Sequence, residues 1–230
     1  MQKLKKDEKI EDLGEYGLKI IQAKNAYRFT QDAILLVKFV RLKNDEKIMD
    51  LGSGSGIIPV LLSYRRKGLS IYGIEIQEEL ADMSKRSVKL NKLQDSIHII
   101  NEDIKNVKNL FKSNQFDVVI SNPPYISLGK GIISSVNSRS IARHELKCNL
   151  DDIISSSNYL LKNKGRMYLI FKSSRLIDLI IILNKYGIEA KVIKFIHFGK
   201  KRKADVFLVE GVKGGKRELK IEKPIFIQDE

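Results

Sequence analysis

Residues 47–64 constrain the fold of this chain more than any other stretch. Lys47-Ile48-Met49 is a short apolar run, and Asp50-Leu51-Gly52-Ser53-Gly54-Ser55-Gly56 follows it with three closely spaced glycines. Ile57-Ile58-Pro59-Val60-Leu61-Leu62-Ser63-Tyr64 then opens an apolar helix with proline in its first turn. Strand, glycine loop and helix in this order form the setting of a nucleotide-binding crossover. The glycines let the backbone turn tightly and approach a ligand, and the helix aims its free N–H groups at it.

The next strand, Ser70-Ile71-Tyr72-Gly73-Ile74-Glu75, ends in an acid about 20 residues further on, where a carboxylate meets ribose hydroxyls. NAD and S-adenosylmethionine both satisfy that geometry, and two details favour the second. The glycine spacing is Gly-x-Gly-x-Gly rather than Gly-x-Gly-x-x-Gly. Asp50 places a carboxylate just before the loop, which repels a pyrophosphate but attracts an ammonium group. A third acid, Asp103, follows the strand Ile97-His98-Ile99-Ile100 and is in position to bond an adenine amino group. Singly, each acid reads as a solvated loop carboxylate; three at successive strand ends form a pattern.

A second motif, Ser121-Asn122-Pro123-Pro124-Tyr125, follows the buried-strand pattern Phe116-Asp117-Val118-Val119-Ile120. Asn-Pro is a common turn, but here it stands where open α/β sheets bind their ligands. The prolines hold φ and remove N–H groups, leaving the Asn122 carboxamide and the Pro123 carbonyl as rigid acceptors. With the Tyr125 ring beside them, they suit a planar –NH2 group gripped by both hydrogens.

These motifs together resemble the class I S-adenosylmethionine-dependent methyltransferases, specifically the amino-group methylators with Asn-Pro-Pro-Tyr. Tyr27-Arg28-Phe29-Thr30-Gln31-Asp32-Ala33-Ile34-Leu35-Leu36, Ala142-Arg143-His144-Glu145 and Val209-Glu210-Gly211-Val212-Lys213-Gly214-Gly215 are similar to segments of the bacterial tRNA(Val) adenine-N6 methyltransferases. The resemblance implies that Asp50, Gly52, Ser53, Gly54, Gly56, Glu75 and Ile76 hold S-adenosylmethionine, or S-adenosylhomocysteine as product. It adds Thr30, Asp32, Asp103, Ile104 and Asn122 to that cradle. Asn122, Pro123, Pro124 and Tyr125 are the implied catalytic group, and an adenine in tRNA is the implied methyl acceptor.

The charge supports a polyanionic partner. The formal net charge is +14, and residues 191–223 hold eleven Lys/Arg against four Asp/Glu. Lys200-Lys201-Arg202-Lys203 is the densest run, and Arg139 and Arg143 are further candidates for RNA phosphates. Abundant Ile, Lys and Asn allow part of the charge to reflect AT-rich coding.

Protein glutamine methyltransferases of the release-factor type share Asn-Pro-Pro-Tyr, because a glutamine amide is also a planar –NH2. They carry an N-terminal helical domain for which the 49 residues before Asp50 leave little room. DNA adenine methylators typically add a large target-recognition domain. A non-catalytic RNA-binding module on the same fold is the third alternative, against which the intact motifs argue.

Strands near 47–51, 70–75, 97–101, 116–121 and 166–171 alternate with helices near 57–66, 77–91, 150–162 and 174–186, with a shorter helix near 104–112. This predicts a doubly wound, mostly parallel α/β sheet. From Asp32 to Val40, Ala33, Leu36, Val37 and Val40 form one face of a helix with Thr30 as N-cap. Strands near 190–197 and 204–210 read as a hairpin joined by the basic run, the antiparallel edge that the resemblance implies. Three regions follow: a basic entry segment (1–29, its first twelve residues loose), a methyltransferase domain (30–211) and a basic tail (212–230). The Ser-, Gly- and Asn-rich stretch 126–145 reads as a substrate-side lid, and Asn149 as the next N-cap.

One cysteine, Cys148, excludes an internal disulfide, and with His98, His144 and His197 scattered no Cys/His metal cluster is expected. Carbon methylation of a pyrimidine usually needs a cysteine nucleophile, and none stands near Asn122. With no apolar signal segment and no membrane span in the sequence, a cytoplasmic protein is expected.

Overall fold

The computed structural model describes residues 4–14, 17–23, 31–123 and 150–227. Four short apolar runs form β3 (Lys47–Leu51), β4 (Ser70–Glu75), β5 (Ile97–Asn101) and β6 (Phe116–Ser121). They pair in parallel, as expected of strands covered on both faces. β7 (Leu161–Lys172) lies parallel to β6, while β9 (Val206–Lys213) runs antiparallel between β7 and β8 (Ile188–Phe198). Two short strands, β10 (Lys220–Ile221) and β11 (Ile225–Ile227), add in parallel along the outer edge of β8.

The resulting nine-stranded sheet has the order β10-β8-β9-β7-β6-β3-β4-β5, with β11 beside β8. The chain moves outward from β3 through β4 to β5, then returns to place β6 on the other side of β3. The reversal creates a crevice between β3 and β6 at their C-terminal ends, the place where such sheets take ligands.

α1 (Gln31–Phe39), α2 (Ile57–Leu62) and α3 (Glu78–Leu90) cover one face. There Leu36, Val60, Leu62 and Val88 pack with Ile48, Ile71, Val118 and Ile120. α4 (Val107–Leu110), α5 (Leu150–Leu160) and α6 (Leu176–Lys185) cover the other. Ile154, Leu179 and Leu183 meet Met49, Val119, Leu169 and Phe207 on that side. Each such fully buried side chain contributes about 1.5–3 kcal/mol. Strand alternation sends Ile48 and Met49 to opposite cores, so Asp50 falls on the α1–α2 face.

Several expectations are corrected. The first twelve residues are not all loose: β1 (Glu8–Asp12) pairs antiparallel with β2 (Lys19–Ala23). That hairpin docks on α3, where Arg86 donates to both Glu8 oxygens at 2.5 and 2.7 Å and Ser87 Oγ accepts from the Ile21 N–H at 2.9 Å. Leu18, Ile20 and Ile21 are buried beneath it. Charged residues alternate with this short apolar set, so composition alone hid the strands. Helix α2 stops at Leu62, four residues early, and α5 yields at Leu160 to a β7 that starts five residues sooner than expected. The boundary drawn at residue 211 falls inside β9, and the basic tail supplies sheet edge through β10 and β11.

Thr30, the 126–145 stretch, Cys148 and Asn149 lie outside the described residues. Among those described, no helix is long and apolar enough to cross a membrane, and no group of three or more His, Cys, Asp or Glu side chains is placed to hold a metal ion.

Candidate active site

The crevice is built first by backbone conformation. Gly52, Gly54 and Gly56 have φ of 78°, 55° and 87°, left-handed values that L side chains avoid. Gly56 is doubly constrained, because a Cβ there would sit 2.1 Å from Ser84 Oγ on α3. Gly52 and Ser53 each donate N–H to the Ile74 carbonyl at 2.9 Å, folding the loop over the end of β4. Gly73 makes room for that fold: a Cβ there would lie 2.9 Å from the Ser53 side chain and 2.8 Å from Ile99.

Glu75 locks the loop. One carboxylate oxygen accepts from the Gly54 N–H at 2.9 Å and the other from the Gln77 N–H at 2.9 Å. With three backbone donors on about four lone-pair sites, the carboxylate holds the loop and keeps room for one hydroxyl donor. Burial pushes its pKa up, and the backbone donors at Gln77, Gly54 and Ile76 oppose that shift.

Asp50 is the unusual group. It is fully buried, and neither carboxylate oxygen has a hydrogen-bond partner among the described residues. Burial first, and the charge of Glu75 second, raise its pKa well above the ordinary carboxylate range. An unpaired buried carboxylate is costly, and a cationic ligand group would relieve that cost. Ser53 Oγ, also buried and unpartnered among the described residues, adds a second polar atom to the same loop. An ammonium, ribose hydroxyls and a backbone-lined turn therefore match the residues present.

Asn122 enters from the opposite wall. The β3–β6 register places Asp50 beside Ile120, and Ser121 Oγ donates to the Leu51 carbonyl at 2.8 Å. That buried bond ties the start of the Asn-Pro-Pro motif to the start of the glycine loop. Asn122 is half-buried and Pro123 buried, so the carboxamide stands at the crevice on a fixed backbone.

Asp103 caps a turn. Its Oδ1 accepts from the Lys105 N–H at 2.9 Å, capping a short 3-10 turn, Ile104–Asn106. Ile104 is buried beneath, and Ile76 and Asp32 are half-buried and buried in turn. Adjacent strand ends thus line up Asn122, Asp50, Glu75 and Asp103 across β6, β3, β4 and β5. Lys200, Lys201, Arg202 and Lys203 do not join them. They occupy the β8–β9 turn, exposed and without an ion-pair partner among the described residues. Pro124, Tyr125, Thr30, Arg139 and Arg143 lie outside the described residues.

Sequence reading quoted Ser121 and Gly73 within their motifs without a role and passed over Ser84; all three support the backbone of the crevice. Ser121 carried a signal, a polar residue ending a buried strand, whereas the contact of Ser84 with Gly56 spans 28 residues and has no local sign.

Comparison with known proteins places these features in a family. The family model for the methyltransferase small domain matches residues 27–186. A tRNA1(Val) (adenine(37)-N6)-methyltransferase of Photobacterium profundum is 26% identical over 181 residues, covering 78% of this chain and 75% of the relative. One of the same name from Porphyromonas gingivalis is 31% identical over 133 residues, 57% of this chain and about half (51%) of that protein. Among solved structures, a predicted O-methyltransferase of Agrobacterium tumefaciens superposes with a TM-score of 0.69 at 22% identity, covering 85% of this chain and 86% of that one. A geranyl diphosphate C-methyltransferase of Streptomyces coelicolor, solved with S-adenosyl-L-homocysteine, gives 0.58 at 12% identity over 80% and 78%. The family match spans the glycine loop, the acidic strand ends and the Asn122 turn, and the chain belongs to the methyltransferase small domain family.

Proposed function

We propose that this chain methylates the exocyclic N6 of an adenine in tRNA, an unpaired anticodon-loop adenine of tRNA(Val), with S-adenosylmethionine as methyl donor. The relatives' names support the acceptor. The observation that carries the reading is the Ser121–Leu51 bond, which ties the strand end that carries Asn122 to the start of the glycine loop.

S-adenosylmethionine supplies a methyl group already activated on a sulfonium. What the protein adds is alignment, worth about 7–11 kcal/mol at best. Asp50 pairs with the donor's ammonium, Glu75 accepts from a ribose hydroxyl, and Asp103 Oδ2 accepts from its adenine amino group. Asn122 Oδ1 and the Pro123 carbonyl accept the two N–H bonds of the target amine. Those contacts draw the nitrogen lone pair out of conjugation and strengthen as positive charge develops, which makes them transition-state contacts. The proton leaves after transfer, so no strong base is needed beforehand. Tyr125 stacks on the target base, about 1–3 kcal/mol, and a loop nucleotide costs least to splay out.

The direct test is nucleoside mass spectrometry of a tRNA(Val) transcript incubated with the protein and S-adenosylmethionine. N6-methyladenosine in the anticodon loop is expected. Methylation of a release-factor glutamine instead, or a carbon-methylated pyrimidine, overturns the reading.

Two substitutions separate donor from acceptor. Glu75→Ala is expected to weaken S-adenosylmethionine binding by about 1.5–3 kcal/mol, the worth of a hydrogen bond to a charged group. Glu75→Gln should fall between, because its amide NH2 cannot accept from Gly54 or Gln77. Unchanged calorimetric affinity in folded Glu75→Ala would remove Glu75 from the donor site. Charge reversal at Lys201 and Arg202 should weaken RNA binding for all sequences and flatten its salt dependence by roughly one slope unit per lost phosphate contact. Donor affinity should stay constant, and an unaltered salt slope would mean that the turn is only solvated surface.

A further inference from the structure

Phe226 is a large apolar ring left about half exposed (48%) on a strand whose two flanking residues, Ile225 and Ile227, pack against the core. β11 pairs with the end of β8 so that Phe226 stands beside His197, and their rings stack at 4.8 Å between centroids and 30° between planes. The pair is fastened to the basic turn at two points. His197 Nδ1 donates to the Arg202 carbonyl at 2.8 Å, since a carbonyl only accepts, and the Gly199 N–H donates to the Ile227 carbonyl at 2.8 Å. The exposed face of a rigid aromatic pair thus adjoins Lys200, Lys201, Arg202 and Lys203, four cations without ion-pair partners among the described residues.

Topology puts this pair on the same rim as the candidate active site. β8, β7, β6 and β3 all run in one direction, so Phe198 and Asn122 leave the sheet at the same end. Four strand spacings separate β6 from β11 in the sheet order, about 19 Å at ~4.8 Å each. A few nucleotides of unstacked strand span that distance. Cations beside an exposed ring form the combination that holds single-stranded nucleic acid, phosphates on the charges and a base on the ring.

We infer that His197 and Phe226 form a stacking platform for a second unpaired base of the RNA whose target adenine sits at Asn122. The inference rests on the reading of the substrate as RNA. It gives the basic turn two roles, since the turn attracts phosphates and also orients the ring pair that receives the base.

The chain contains no tryptophan, so Phe226→Trp installs a single fluorophore at the platform. Titration with an unmodified tRNA(Val) transcript should quench it, with a midpoint matching the concentration that half-saturates methylation. Tyr64→Trp, an exposed position just beyond α2 at the opposite rim, should not respond. Phe226→Ala should raise KM for the transcript by about 5- to 100-fold, the cost of one stacked base, and leave kcat and S-adenosylmethionine affinity unchanged. Phe226→Tyr should restore KM. Absence of quenching while the transcript is bound and methylated overturns the platform and leaves the proposed function standing. An unchanged KM in folded Phe226→Ala overturns it as well. Quenching by a transcript that is never methylated supports the platform and sinks the proposed activity instead.

Discussion

Asn122→Ala is expected to lower single-turnover methylation by about 10²–10³-fold, the usual cost of removing one aligned polar contact from a transition state. tRNA affinity should hardly move, and S-adenosylmethionine affinity should change far less than the rate. The difference arises because the contact of Asn122 with the amine gains strength only as the nitrogen becomes cationic. Its backbone is held independently of its side chain, through Ser121 Oγ and the β3–β6 ladder, so truncation should leave the crevice intact. Asn122→Asp should retain more activity than Ala, since a carboxylate keeps two acceptor oxygens. Rapid-quench measurement at saturating RNA gives the rate directly. A wild-type rate in Asn122→Ala would show that the carboxamide is not part of the chemical step.

Asp50→Asn should separate stability from function. Its carboxylate is buried, lacks a described hydrogen-bond partner and faces repulsion from Glu75. Burial therefore favours the protonated form in the folded chain, and the folded pKa lies above the unfolded one. The sign follows by linkage. Asp50 penalises the fold least below its unfolded pKa, and the penalty grows as pH rises toward the folded pKa, above which it is complete. Removing the charge should thus raise the melting temperature of the ligand-free protein at neutral pH. Donor binding has the opposite sign, because an ammonium pairs only with the ionised form. Affinity for S-adenosylhomocysteine should increase as pH rises through the folded pKa, with proton release, and Glu75 should add in the same direction because its pKa is also raised. Losing one partner of a buried ion pair costs about 3–5 kcal/mol, so Asp50→Asn should bind about 150- to 4,000-fold more weakly and lose its share of the pH slope. Calorimetry over a pH series rising from the ordinary carboxylate range checks both signs. Equal affinity in the two proteins would rule out the ammonium pairing.

Local signals make much of this crevice legible in the sequence. The three loop glycines proved to have positive φ, and a positive φ is a demand one residue makes by itself. Glu75 and Asn122 could be assigned to strand ends because runs such as Ser70–Glu75 and Phe116–Ser121 carry their own apolar pattern. The hairpin around the basic turn was readable for the same reason. The β1–β2 hairpin was not. Its five-residue strands owe their order to Arg86 and Ser87 on α3 and to Asn91 at its C-cap, more than 60 residues away in sequence.

What the sequence by itself determined is the order of strands and helices, the left-handed turn before α2 and the kinds of group at each strand end. These depend on backbone sterics and on hydrophobic period, both local properties. Only the tertiary structure decided which strand ends become neighbours and what each side chain finds there. It placed β6 beside β3, so that the strand end carrying Asn122 adjoins the start of the glycine loop. It gave Glu75 backbone donors at Gly54, Ile76 and Gln77 while leaving Asp50 with none among the described residues. It also brought Phe226 onto His197, 29 positions earlier, at the rim that carries Asn122. Desolvation and hydrogen-bond satisfaction are properties of the packed surroundings, and no residue's identity specifies its surroundings until the chain has folded around it.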